Sequence, residues 1–352
     1  MALIAAVTLH NIGTSHAEAT PPDSDVTQAE SDAGLSGIIE RKQHFYAETF
    51  PELAFIVLQG GESWAKDFEG LSELLGPGAV SLDYEHPSNL SEDLMYVSLE
   101  RIRMMLADNS PSASLIRADE AMGLHAKLCI ITINPPAIAA DNHIATHYLI
   151  EPYHEIQGEI TKENLVDRKH FLEFVFDHEV YHCLESHFIG PQPMSHLEFW
   201  ADYYDYRHEI GADTFAIAMH IKRHQAVTGF VNKMIRIRGL SLFCDDCNHW
   251  TPHAIEQVVK TDPVKLISMD TMELFSYASS LRDDIASDYD DYLLYRSAAK
   301  EACNLLNSKL WSADENGTLP PPDPEMVNDM LGVFRKAYYE LTGTEFSPDR
   351  AR

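Results

Sequence analysis

Phe174 to Cys183 reads FVFDHEVYHC and holds His178, Glu179 and His182 in an HExxH arrangement. On an α-helix the i, i+4 spacing stacks both imidazoles on one face, one turn apart, where both can reach a single metal ion. Glu179 then projects beside them, toward a water that such an ion would hold. The flanks read as helix: Arg168 to Phe188 contains no Pro or Gly and carries apolar residues at Phe171, Leu172, Val175, Phe176, Val180 and Leu184. The stretch therefore predicts a helix that displays two metal ligands and an acid.

Two histidines leave such an ion short of ligands, and the downstream sequence offers more. Ser195-His196-Leu197-Glu198 has the form of a capping box, and it opens a second helical run from Leu197 to about His224. Within that run stands Glu209-Ile210-Gly211-Ala212-Asp213. A carboxylate from a second helix is what a His₂Glu zinc site needs as its third ligand, the fourth position being left to water. Asp213 lies one turn beyond Glu209 on the same face. His187, His196, His208 and Asp205 are alternative third ligands.

HExxH followed by a helix bearing E-x-x-A-D resembles the gluzincin metallopeptidases, the thermolysin-like group and the compact minimal gluzincins. The resemblance covers about Arg168 to His220. It implies that His178, His182 and Glu209 bind one catalytic Zn²⁺, that Glu179 is the general base, and that Asp213 hydrogen-bonds the first zinc histidine. It also implies an α+β fold: a zincin-like core with a small mixed sheet, an HExxH helix and a third-ligand helix. The expected activity is hydrolysis of peptide bonds in a peptide or protein substrate by a zinc-activated water. Related enzymes stabilise the oxyanion with a His or Tyr, for which Tyr153, His154, Tyr203, His249 and His253 are candidates. A metzincin would place its third His at position 188, which is Phe188. The alternatives are a non-catalytic zinc-binding protein and a zinc hydrolase acting on a non-peptide amide.

The rest of the chain sets this core in context. Ala2 to Leu9 is apolar and is followed by Thr14-Ser15-His16-Ala17, so residues 1–17 read as a signal peptide, although no Lys or Arg precedes Arg41. Export to the periplasm or beyond is the expectation, with the cytoplasm as alternative. Residues 18–34 are acidic and poor in apolar groups, which predicts a disordered linker. Residues 35–250 would form the catalytic domain and 251–352 a helical C-terminal lobe packed on it. Helices are predicted over Gly37–Phe50, Leu90–Asp108 and about Pro324–Thr342, and strands over Leu53–Leu58, Lys127–Asn134 and His143–Ile150. No run of 18 or more apolar residues predicts a membrane span.

With 55 acidic against 26 basic residues, the net charge of −29 would repel nucleic acid and anionic membrane surfaces. Cys244, Cys247, His249 and His253 fall within ten residues. They could form a structural zinc site, a Cys244–Cys247 disulfide or plain thiols. Cys183 steps off the metal face and is expected to pack, and Cys129 and Cys303 stand in apolar surroundings typical of a core.

Overall fold

The computed structural model describes residues 25–59, 68, 69, 71, 80, 81, 102–104, 111–117, 127–133, 167–190, 200–240, 248–287, 289–294, 296, 297 and 300. The first element is helix α1, Asp25–Thr49. Its first ten residues, Asp25 to Gly34, fall within the stretch 18–34 that the composition reads as a linker. No Pro interrupts Asp25 to Gly34, and Ala, Gln and Glu propagate a helix backward once the Gly37–Thr49 part is docked. Leu35, Ile38, Ile39 and Tyr46 anchor that docked part in the core.

A mixed four-stranded sheet follows, built from β1 (Leu53–Gln59), β2 (Val80–Ser81), β3 (Ser112–Arg117) and β4 (Lys127–Ile133) in the order β1-β4-β3-β2. β1 runs parallel to β4, with Leu53 opposite Lys127, while β3 is antiparallel to β4, with Ser112 opposite Thr132. The sequence of β4, KLCIITI, is apolar almost throughout, as a strand covered on both faces requires. Alternation sorts its side chains. Cys129, Ile131 and Ile133 join the main core with the helices, and Leu128 and Ile130 pack on the other face with Ile102 and Leu71.

Helix α2, Arg168–Phe188, carries the HExxH residues and spans the range its sequence predicts. Asp167 caps it, accepting from the backbone N–H groups of Lys169 and His170 at 3.0 Å. It ends at Gly190, whose φ of 78° suits only a residue without a Cβ. Cys183 on α2 and Cys129 on β4 form a disulfide across 54 residues. Both are buried, but the expectation of plain packing misses the bond that joins the HExxH helix to the central strand.

Helix α3, Trp200–His224, lies antiparallel to α2, since His178 meets Asp213 while His182 meets Glu209. Its residues Ile210–Ile221 are buried without a break, so it forms the centre of the protein. Gly211 sets how near the two helices come: a Cβ there would stand 2.3 Å from the Tyr181 hydroxyl. Helix α4 (Gly229–Leu240) packs on α5 (Pro252–Lys260), and α5, α6 (Pro263–Ser268) and α7 (Thr271–Ile285) pack on α3. Residues 252–285 are thus mainly helical, in keeping with the sequence. Yet Ile255, Val258, Leu266, Leu274 and Ala278 share one core with α2 and α3.

A buried ionic knot fixes the start of this assembly. Asp177 of α2 accepts from Lys42 and Tyr46 of α1, both at 2.5 Å, and from Arg223 of α3 at 2.6 Å. Burial would raise the Asp177 carboxyl, but the two cations hold it below its ordinary range. No described helix is long and apolar enough to cross a membrane. The predicted strand His143–Ile150, the helix at Pro324–Thr342, nearly all of Leu90–Asp108, the Ser195 capping box and residues 1–17 lie outside the described residues.

Candidate metal centre

α2 brings His178 and His182 to one face, and antiparallel α3 brings Glu209 against them. His182 Nε2 lies 3.3 Å from His178 Nε2, Glu209 Oε2 lies 3.1 Å from His178 Nε2, and Glu209 Oε1 lies 3.5 Å from His182 Nε2. Two ligands about 2.0–2.1 Å from a tetrahedral zinc stand about 3.3 Å apart, the scale of these separations, which run to both Glu209 oxygens. All three donor atoms fall within 4.8 Å of one another. The group is partly buried, with side-chain exposures of 6, 20 and 14% for His178, His182 and Glu209.

The hydrogen bonding around His178 tests whether a cation belongs there. Its Nδ1–H donates to Asp213 Oδ1 at 2.8 Å, a carboxylate that can only accept. A neutral His178 therefore aims the bare lone pair of Nε2 at the Glu209 carboxylate and at a second imidazole. Lone pairs converging from two histidines and a carboxylate need a positive charge between them, a proton or a metal ion. In the metal-free protein burial would lower the His178 pKa, but Glu209 and the bond to Asp213 carry it up to about 10. Burial likewise opposes ionisation of Glu209, yet His249, His178 and His182 hold its carboxyl well below the ordinary range. The residues fit a divalent cation.

Asp213 is itself held in place. Arg238 of α4 pairs with it, Nη2 donating to Oδ1 at 2.7 Å while Nε stands 2.7 Å from Oδ2, and the Thr251 hydroxyl donates to Oδ2. Burial would raise the Asp213 carboxyl, but Arg238 and His178 bring it to about 2. Sequence reasoning missed Arg238 and Thr251, because nothing local marks a residue whose role depends on a partner 25 or 38 positions away.

The remaining candidates separate by their partners. His249 reaches the cluster, its Nε2 standing 3.3 Å from Glu209 Oε2. His253 instead bonds the Tyr206 hydroxyl at 3.0 Å, and burial pushes its pKa down to about 4. Tyr203 donates to the Ala286 carbonyl at 2.5 Å, a structural bond. His187 sits 3.0 Å from Lys127, and His208 pairs with Glu185. Glu179 is buried on α2, next to His178 in the chain. Tyr153, His154, His196, Cys244, Cys247 and Cys303 lie outside the described residues. The chain matches no family model, no curated protein and no solved structure.

Proposed function

We propose that the protein is a zinc-dependent metallopeptidase of gluzincin type, with a zincin-like core formed by the sheet, α2 and α3. The observation that carries this reading is the convergence of His178 Nε2, His182 Nε2 and the Glu209 carboxylate, with Asp213 holding the Nδ1 side of His178. Zinc, when bound there, supplies a Lewis acid that polarises a carbonyl and brings the pKa of a water toward neutrality. Glu179 accepts the proton of the attacking water and returns it to the leaving amine. His249, beside Glu209 and partly exposed, is placed to donate from its ring to the developing oxyanion. The substrate is a peptide or protein. The reading includes export, for which a Cys129–Cys183 disulfide is the supporting feature, because such bonds persist in oxidising compartments.

The test uses Glu179→Gln, which conserves size and removes the proton acceptor. Zinc content and the far-UV circular dichroism spectrum should be unchanged, and hydrolysis of casein or a quenched peptide should fall by about 10²- to 10⁴-fold. Chelation should abolish wild-type turnover and zinc should restore it. A Glu179→Gln protein that turns over at the wild-type rate would remove Glu179 as the base. A zinc-loaded wild type without hydrolase activity would leave a non-catalytic zinc protein.

A further inference from the structure

A second group of donors stands one helical turn from the first. His182 and Glu185, in H-x-x-E spacing, share a face of α2, and His208 comes from α3 directly before Glu209. Their donor atoms all lie within 4.8 Å of one another. Glu185 is buried, and its two oxygens are divided: Arg282 of α7 holds Oε1, and His208 Nδ1 meets Oε2. A guanidinium on one oxygen fixes the plane of the carboxylate and holds the other oxygen toward His208, so an ion there would be shared by the two side chains. A small cleft lined by Glu185, Tyr204, Arg207, His208 and Arg282 lies beside the group.

We propose that His182, Glu185 and His208 form a second divalent-cation site, weaker than the first and in competition with it for His182. The proposal rests on the reading of His178, His182 and Glu209 as a metal centre. Competition follows from chemistry: a neutral imidazole has one unprotonated nitrogen, so His182 serves one ion at a time. The ranking follows from charge. Around the first group the carboxylates of Glu209 and Asp213 outnumber the single guanidinium of Arg238, whereas Arg282 offsets Glu185 in the second. An ion therefore occupies the first site while all its ligands are present, and the second becomes its seat when a ligand exclusive to the first is lost.

Cobalt is the probe, added to metal-free full-length protein and followed by equilibrium dialysis and visible absorption, without reference to activity. His178→Asn and Glu209→Gln should each lose tight binding yet retain one weakly held Co²⁺. The weakening should exceed the about 10- to 100-fold typical of losing an outer-shell partner. Adding His208→Asn to either should abolish the remaining binding, while His208→Asn alone should keep the tight site. His182→Ala should bind at neither. Equal cobalt binding by His178→Asn and His178→Asn/His208→Asn would overturn the second site, as would no binding in both single variants. Should His178→Asn bind as tightly as wild type, the first centre is the reading that fails, and the His208 comparison still decides the second. Using two variants on different helices, each checked by circular dichroism, keeps a folding defect in one from deciding the result.

Discussion

Asp213→Ala should act on two properties at once, and the structure separates them. The carboxylate is fully buried and accepts from His178, Arg238 and Thr251, with the Arg238 Nε 2.7 Å from its second oxygen. Its loss frees the His178 ring to rotate and to change tautomer, which should weaken zinc by about 10- to 100-fold. It also strands Arg238, a guanidinium only 5% exposed, without its anion. Removing one partner of a buried pair costs about 3–5 kcal/mol, so the melting temperature should fall by roughly 5–10 °C. The effect on zinc runs through His178 and the cost in stability through Arg238. Adding Arg238→Met relieves the stranded charge, so Asp213→Ala/Arg238→Met should regain most of the melting temperature and none of the zinc affinity. The assays are zinc competition against a chromophoric chelator and thermal unfolding of the metal-free protein. Recovery of zinc affinity in the double variant would refute the reasoning, since the carboxylate would then act only through stability. Unchanged zinc affinity in Asp213→Ala would refute it too.

His178→Ala, His182→Ala and Glu209→Ala should each strip tightly held zinc as measured by metal analysis after dialysis. A Glu209→Ala protein with full zinc would return the third-ligand role to another residue. In the metal-free protein His178 is raised from 6.5 to about 10, so its charge stabilises that form below about pH 6.5 and ceases to as pH rises through about 10. Zinc uptake at pH 8 should accordingly release a proton, read by calorimetry in buffers of different ionisation enthalpy, with affinity rising toward pH 10. Asp213 is shifted the other way, from 3.8 to about 2. It should contribute on the order of 2 kcal/mol that is present above about pH 4 and lost as pH falls toward 2, visible in acid titration of stability. Replacing Cys129 and Cys183 by Ala should cost about 2–5 kcal/mol in denaturant unfolding under oxidising conditions and nothing further under reducing ones.

What the sequence determines by itself is what repeats at short range. Helix α2 is legible because its apolar spacing is unbroken by Pro or Gly over Arg168–Phe188, and its two histidines share a face by helical geometry alone. β1 and β4 are legible for the same kind of reason, as short apolar runs with turn residues after them. Glu209 and Asp213 could be nominated, since one turn separates them on a second helix, but not distinguished from His208 or Asp205. Their selection depends on where α3 crosses α2, and that crossing is set by a contact of Gly211 with Tyr181 that only packing creates. The Arg238 and Thr251 bonds to Asp213, the pairing of Cys129 with Cys183, and the Asp177 knot with Lys42, Tyr46 and Arg223 are of this second kind. Each joins residues from 25 to 135 positions apart. Periodicity carries no information over such separations, because charges and thiols that far apart in the chain are brought within bonding distance only when the helices and the sheet bury a common core.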